Sequence, residues 1–251
     1  MGEPLSGMVA LSVLGRRLSA DELAVLDEAA VALTLADPRI WPLKMTRVLA
    51  SYGNTLPAAA AGLMVQEEAR VGAWTCCRAA ELLVAFRQQV DDQVDNLELL
   101  EGVVRRHLAQ HHFVWGFGTP FRARDERLVA LSACVERRGR EELTHWRLFR
   151  NVAHVVGSIR SWEANIGMGI AACFLDMGMS PREIGVMAAA LMQHMFMAHA
   201  AEASEQRSLI LQKLPDERVA FVGRPPRLSP RSRSVSEAEQ SLPHCCQSVA
   251  E

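Results

Sequence analysis

Apolar residues recur at helical spacing along most of the chain. Behind Ser19 they occupy one face of a helix, at Leu23, Leu26, Ala30 and Leu33. Ser19 and Glu22 form a capping box, in which the hydroxyl and the carboxylate bond backbone N–H groups that the first turn leaves free. The pattern predicts a first long helix that begins near Ala20.

The same periodicity predicts helices over residues 77–89, 97–110, 126–137, 141–159, 162–177 and 182–211. Ser180, Pro181 and Glu183 combine an N-cap, a proline in the first turn and a capping box, which predicts a sharp helix start. Pro57 opens an alanine-rich helix whose small side chains favour close contact with other helices, so we expect it to be buried. No segment alternates with the period of a strand, and the fold class predicted is all-α.

Composition agrees with this fold class and bounds the function. The chain has 251 residues, of which 49% are apolar and only 6% aromatic, as is typical of helical proteins. This length fits one large domain or two small ones. Because 27 basic residues face 29 acidic ones, no overall field attracts a polyanion, and neither nucleic acid nor an anionic membrane is an expected partner.

The cysteines and the apolar segments indicate where the protein works. The six cysteines have neither metal-binding spacing nor the pattern of a disulfide framework, so we expect reduced thiols and a cytoplasmic protein. The N-terminal apolar run is short, and its arginines follow it, unlike a secretory signal. Residues 165–179 and 188–201 are the most apolar later segments, and both fall short of the roughly 18 residues of a membrane span.

Two further patterns concern the tail and possible metal ligands. Residues 224–251 are rich in Pro, Ser and Arg without periodicity, which predicts a disordered tail. His107 and His111 lie one helical turn apart, and Glu142 with His145 matches half of a di-iron motif. Because further ligands are missing from both patterns, no metal is predicted, and a half-exposed helix end is the favoured interpretation of His107 and His111.

Residues 115–127, Trp-Gly-Phe-Gly-Thr-Pro-Phe-Arg-Ala-Arg-Asp-Glu-Arg, form the most unusual segment of the chain. Gly116 and Gly118 bracket Phe117, and a basic stretch follows that contains Arg122, Arg124 and Arg127. Such a loop lets backbone approach a ligand while guanidinium groups bind carboxylate or phosphate. The residues alone leave two interpretations open, an anion-binding loop or an interdomain turn.

This segment resembles the signature of the citrate synthase family, in which Gly-aromatic-Gly-His precedes a basic stretch and Asp-Pro-Arg. Other segments resemble that family in the same order: the helix around Arg47, the alanine-rich residues 58–63, residues 165–178, 198–202 and 221–223. The length of the chain is similar to that of the compact members known as citryl-CoA lyases.

The resemblance implies an all-α homodimer that binds a small acid and a coenzyme A thioester as substrates, with no permanently bound cofactor. It implies a large helical domain over residues 1–75 and 169–223 and a smaller inserted helical domain over 76–168. In the family an Asp removes a proton from the thioester, one His stabilises the enol, a second His polarises the keto group, and arginines hold carboxylates.

Matched position by position, the family's catalytic groups are replaced in this chain. The signature His corresponds to Thr119, the enol-stabilising His falls within residues 71–75, the Asp corresponds to Gly167, and a substrate arginine corresponds to Met192. The matching features are therefore the glycines of residues 116–119, a segment that we call the glycine loop, and several arginines.

Two functions follow from this resemblance. In the first, the chain forms or cleaves a C–C bond in a citryl-CoA-like substrate, with Thr119 as hydrogen-bond donor and Glu163, His154 or Asp176 as base. In the second, it is a non-catalytic relative that binds a ligand or pairs with another chain. In both, the expected binding residues are Gly116, Phe117, Gly118, Arg122, Arg124, Arg127 and Arg47.

Overall fold

The computed structural model describes residues 4–66, 71–91, 93–119 and 123–208. Within these ranges the chain folds into ten α-helices and no strand. They are α1 (Leu5–Leu14), α2 (Ala20–Thr34), α3 (Trp41–Ala50), α4 (Thr55–Met64), α5 (Ala73–Val90), α6 (Leu97–His111), α7 (Glu126–Arg137), α8 (Thr144–Arg160), α9 (Ile166–Leu175) and α10 (Pro181–Ser204). The all-α prediction is confirmed.

The two predicted capping boxes are present. Ser19 accepts a hydrogen bond from the backbone N–H of Glu22, and the Glu22 carboxylate accepts one from the N–H of Ser19 at 2.8 Å. Ser180 and Glu183 make the same pair of bonds at the start of α10. Both helices therefore begin where the sequence predicts, because a local cap fixes the first turn.

Helix α9 is the centre of the molecule. All ten of its residues are buried, and it packs against α5, α7, α8 and α10. A helix that is apolar on every side is stable only when other helices surround it, which explains the run of apolar residues here. Its position is therefore fixed by the helices around it, and its first residues, Ile166 and Gly167, line a cavity.

Helix α10 packs across α2, α3, α4, α5 and α9. By length and composition it is apolar enough to cross a membrane, but half of its most apolar 18-residue window is buried in this fold. The core helix of a globular protein has the same composition. Close packing requires small residues here, since a Cβ on Gly185 would lie 2.9 Å from Cβ of Cys77 on α5.

One face of the alanine-rich helix α4 is buried, and the opposite face is exposed. Ala58, Ala59 and Gly62 lie against α3 and α10, and a Cβ on Gly62 would lie 1.9 Å from Oγ1 of the buried Thr46. Leu56 and Met64 on the outer face are 67% and 78% exposed. The expected close helix contact is present, on one side of the helix only.

Several predicted boundaries differ from the observed ones. Helix α1 was not predicted, and α8 begins at Thr144 rather than at residue 141. Trp162 to Asn165 are not helical, because Ala164 forms an isolated antiparallel bridge with Phe117 and Asn165 caps α9. The predicted end of the last helix at residue 211 and the predicted disordered tail over 224–251 lie outside the described residues.

Candidate functional site: a cleft at the start of helix α9

The glycine loop is held by the segment that leads into α9. Gly118 donates its N–H to the carbonyl of Glu163 at 2.8 Å, and Asn165 donates its N–H to the carbonyl of Gly116 at 2.8 Å. The Asn165 side chain adds a bond from Nδ2 to the carbonyl of Gly118 at 2.8 Å, while its Oδ1 accepts from Gly167. Asn165 thus joins the loop to the helix and caps the helix at once.

Gly116 must be a glycine for two reasons. Its φ of +80° lies in the left-handed region, which side chains disfavour. A Cβ at this position would also lie 2.6 Å from Cβ of Met168 and 3.1 Å from its backbone N and Cα. Gly118 shares the positive φ, at +82°, but a Cβ there would meet nothing within 4 Å. The two glycines of the motif therefore have different structural roles.

Asp125 is a buried carboxylate that joins α7, the loop and α9. It is 2% exposed and accepts hydrogen bonds from Nε and Nη2 of Arg127 at 2.8 and 2.7 Å. It also accepts from the backbone N–H of Arg127 and from that of Ile166, the first residue of α9. One side chain therefore caps two helices and fixes the Arg127 guanidinium.

These bonds determine the charge of Asp125. Burial on its own would raise the pKa of the carboxyl, but the hydrogen bonds from Arg127, its positive charge and the N–H groups of Ile166 and Arg127 lower the pKa below the usual value. The carboxylate is therefore ionised near neutral pH, and the pair carries no net charge.

A cavity of about 90 Å³ opens beside this pair. Its walls come from the end of α2 and the loop after it, from the start of α5, from the glycine loop and from the start of α9. Its lining includes Asp37, Gly72, Thr75, Cys76, Gly118, Thr119, Asp125, Arg127, Asn165, Gly167 and Met192. We call this cavity the cleft.

The cleft brings together positions that the family resemblance matches to catalytic or substrate-binding groups. Thr119, Gly167 and Met192 are far apart in sequence, and all three line it, together with the start of α5 at Gly72 and Thr75. Gly167 and Thr75 are adjacent in space, because a Cβ on Gly167 would lie 3.3 Å from Cγ2 of Thr75. Segments that are far apart in the sequence thus meet at the cleft.

The described lining offers hydroxyl groups, one cation and two carboxylates, those of Asp37 and Asp125, which are paired with Arg39 and Arg127. Hydroxyl groups come from Thr75 and Thr119, while Gly167 has no side chain and Met192 has a thioether. Burial raises the pKa of Cys76 to about 12, so its thiol is protonated near neutral pH and is not an activated nucleophile. Among the described lining residues there is no histidine.

Arg127 is the cation of this lining, and its geometry leaves part of it for a ligand. The carboxylate of Asp125 occupies the edge formed by Nε and Nη2. Nη1 makes no hydrogen bond to another described residue, and 21% of the side chain is exposed. The guanidinium is therefore fixed on one edge and can donate from the other.

Other predicted site residues lie elsewhere. Glu163 and Arg124 are exposed and line a second cavity of about 370 Å³, the outer groove, between α7, α8 and residues 162–164. His154 is exposed on α8 and lines neither cavity. Of the loop residues, Gly118 lines the cleft, Phe117 packs on the core and Arg122 lies outside the described residues.

Arg47 and Asp176 have structural partners away from the cleft. Arg47 bonds His199, Glu202 and Gln206 and so ties α3 to the end of α10. Asp176 accepts hydrogen bonds from the backbone N–H groups of His145 and Trp146 and from Nδ1 of His145, each at 2.9 Å, which caps α8. Their charges stabilise helix packing and helix ends.

The histidines that could suggest a metal have other contacts. Nε2 of His107 lies 3.0 Å from the carbonyl oxygen of Phe113. The His107 ring also packs against the rings of Phe86 and His111. The described residues contain no group of three or more His, Cys, Asp or Glu side chains placed to hold a metal ion.

Sequence reasoning did not single out Thr75 and Asn165 as functional residues. Asn165 carried a usable signal, since an Asn before an apolar helix is a common N-cap. Thr75 lies in residues 71–75, which the resemblance matches to the enol-stabilising His, but only the fold places it opposite Gly167.

No protein-family model and no curated protein matches the chain in sequence. Solved structures do match its fold. A citryl-CoA lyase from Hydrogenobacter thermophilus has a TM-score of 0.69 at 20% identity, over 92% of this chain and 88% of that one. A citrate synthase from Thermotoga maritima has a TM-score of 0.63 at 16% identity, over 83% and 59%.

An ATP citrate lyase from Methanosaeta concilii, solved with (3S)-citryl-CoA, has a TM-score of 0.67 at 13% identity, over 93% of this chain and 38% of that one. The chain thus spans most of the length of the first of these proteins and a part of the other two. Likenesses at this level of identity establish the fold, and the chain has the all-α citrate synthase-like fold.

Proposed function

We propose that the protein binds a small acid in the cleft through a free carboxylate and that it does not synthesise citrate. The ligand is the free acid, or an acyl group on coenzyme A that keeps a free carboxylate besides its thioester. The observation that carries this proposal is the retention of Arg127 in a lining whose other matched positions, at Thr119, Gly167 and Met192, bear no group that can act as a proton-transfer base.

The proposed binding mode follows from the geometry of the Asp125–Arg127 pair. Asp125 holds the guanidinium on one edge, so that little side-chain entropy is lost when the other edge donates to a ligand carboxylate. Asp125 is therefore a positioning residue and Arg127 the binding residue. The hydroxyl groups of Thr75 and Thr119 supply neutral hydrogen bonds to the remainder of the ligand.

The same lining argues against citrate synthesis. Condensation needs a base for the thioester methyl and donors for the enolate and the keto oxygen. Removing a single such donor typically lowers the rate about 10²- to 10³-fold. In this chain the base position is a glycine, the described lining holds no histidine, and its two carboxylates, Asp37 and Asp125, are paired with arginines. These features favour recognition of the acid over condensation.

The first test compares binding in wild type and in two Arg127 variants. We expect Arg127→Met to weaken the binding of a small acid by roughly 10- to 100-fold, because charged hydrogen bonds are lost. Arg127→Lys keeps a charge beside Asp125 and should weaken binding roughly tenfold. Isothermal titration calorimetry measures both, and thermal unfolding confirms that each variant is folded.

Arg105→Met is the matched control, because Arg105 is exposed on α6 and its ion pair within the described part of the chain is with Glu101, one turn away. Its binding should equal that of wild type. Unchanged binding in Arg127→Met would contradict the proposal.

A turnover assay separates binding from catalysis. Wild-type protein is incubated with acetyl-CoA and oxaloacetate, and separately with citryl-CoA, while free thiol and oxaloacetate are followed. We expect neither reaction above background. Cleavage of citryl-CoA that is lost in Thr119→Val would establish the lyase function instead, with Thr119 as the donor.

We also propose a cytoplasmic homodimer. Apolar side chains on the outer faces of α3 and α4 support this, since Trp41, Met45, Leu56 and Met64 are 42% to 78% exposed. The two-domain division at residues 75/76 and 168/169 belongs to the same proposal. Light scattering at micromolar concentration should give twice the mass of the chain, and a stable monomer would contradict the dimer.

A further inference from the structure

The charge of the cleft limits the ligand it can hold. Three ionisable residues of its described lining carry charge near neutral pH: Asp37, Asp125 and Arg127. Arg127 is neutralised by Asp125, and Asp37 is paired with Arg39, outside the lining, at 2.7 Å. The described lining therefore holds no positive charge in excess, unlike a site for a ligand with several carboxylates.

We infer that the cleft selects an acid with a single negative charge and a neutral oxygen next to it, and that Thr75 binds this oxygen. This inference rests on the proposed function, because it assumes that Arg127 binds the carboxylate. A second carboxylate on the ligand would lose its hydration in the cleft and find no unpaired cation among the described lining residues. This desolvation costs binding free energy.

Thr75 is the side chain best suited to the neutral oxygen. It is 5% exposed, it lines the cleft, and its Oγ1 makes no hydrogen bond to any described residue. Most buried hydroxyl groups have a partner, so an unpaired one in the wall of a cavity indicates a partner that comes with the ligand. A threonine hydroxyl both donates and accepts, and therefore accommodates a ligand hydroxyl or a carbonyl.

The surroundings of Thr75 also favour a small ligand. Gly167 lies opposite it, and even a Cβ at this position would lie 3.1 Å from Oδ1 of Asn165 and 3.3 Å from Cγ2 of Thr75. The cleft volume of about 90 Å³ is well below the several hundred cubic ångströms of sites for larger ligands. The ligand class is thus a short-chain monocarboxylic acid with a hydroxyl or keto oxygen on the neighbouring carbon.

Acids with four carbons in the main chain provide a matched test: butyrate, 2-hydroxybutyrate, 2-oxobutyrate and malate. For wild type we expect 2-hydroxybutyrate or 2-oxobutyrate to bind roughly fivefold more tightly than butyrate, the gain of one neutral hydrogen bond. The same acid should bind at least about tenfold more tightly than malate, which carries a second carboxylate. Calorimetry gives each dissociation constant.

Thr75→Val replaces the hydroxyl by a methyl group of similar shape. It should remove the fivefold preference over butyrate while the affinity for butyrate stays unchanged, and Thr75→Ser should keep the preference. The midpoint of thermal unfolding of Thr75→Val should not fall, since the hydroxyl has no partner among the described residues.

The outcomes separate this inference from the proposed function. Malate binding as tightly as 2-hydroxybutyrate, with both weakened in Arg127→Lys, would overturn the single-charge selection and leave the proposed function standing. A preference over butyrate that survives in Thr75→Val would overturn the role of Thr75. If none of the four acids binds wild type, the proposed function fails and this inference fails with it.

Discussion

Replacement of Asp125 by Ala is expected to lower the free energy of unfolding by about 3–5 kcal/mol, as is typical when one partner of a buried ion pair is removed. The Asp125 carboxylate is 2% exposed and accepts hydrogen bonds from the Arg127 side chain and from two backbone N–H groups. Without it, Arg127 loses its partner and the N–H of Ile166 at the start of α9 loses its acceptor. Urea unfolding followed by circular dichroism measures the change.

Asp21→Ala is the control for this prediction. Asp21 also bonds two arginines, Arg138 and Arg140, but its side chain is 46% exposed. Exposed ion pairs contribute little, so we expect a loss of less than about 1 kcal/mol. If Asp125→Ala also lowers the free energy of unfolding by less than about 1 kcal/mol, the Asp125–Arg127 pair does not organise the cleft.

The same pair gives the stability a pH dependence of known sign. Because the pKa of Asp125 is lower in the folded protein than its ordinary value of 3.8, its contribution is fully present above that value and is lost as the pH falls below it. Between wild type and Asp125→Ala, the difference in unfolding free energy should therefore stay nearly constant above the ordinary pKa and shrink as the pH falls below it.

Gly116→Ala is expected to cost about 3 kcal/mol of unfolding free energy. The cost combines a side chain at a φ of +80° with a Cβ 2.6 Å from Met168, whose backbone in α9 cannot move freely. Because the loop and α9 form the cleft together, acid binding should weaken as well. Chemical unfolding and calorimetry on the same variant measure both effects.

Gly118→Ala is the matched control, since Gly118 has nearly the same φ of +82° but open space at its Cβ. We expect a cost of about 1 kcal/mol, from the backbone conformation alone. Equal costs at the two glycines would contradict the close contact between the loop and α9.

Short sequence motifs predict the helix starts that depend on a few neighbouring residues. The capping boxes at Ser19 and Ser180 place α2 and α10 correctly, because a cap involves only four consecutive residues. Helix α1 was missed, since its short apolar run has little amphipathic pattern. Trp162 to Ala164 appeared helical in the sequence, but contact with the glycine loop, far away in the chain, determines their conformation.

Of the site residues predicted from the sequence, Thr119, Gly118 and Arg127 line the cleft, and their function stays a prediction. The motif order located Thr119, Gly167 and Met192, which line the cleft together. It could not show that Glu163 presents its side chain to the outer groove while its carbonyl holds Gly118, or that Arg47 bonds helix α10. Such side-chain directions depend on packing between distant segments, which a sequence pattern does not contain.

The proposed binding of an acid by Arg127 is tested most directly by a crystal structure of the wild-type protein, soaked with the acid that binds most tightly. We predict a carboxylate within hydrogen-bond distance of the Arg127 guanidinium, on the edge that Asp125 leaves free, beside Thr75 and Gly167. An acid found only elsewhere, such as in the outer groove at Arg124 or beside Arg47 and His199, would contradict the proposed role of Arg127.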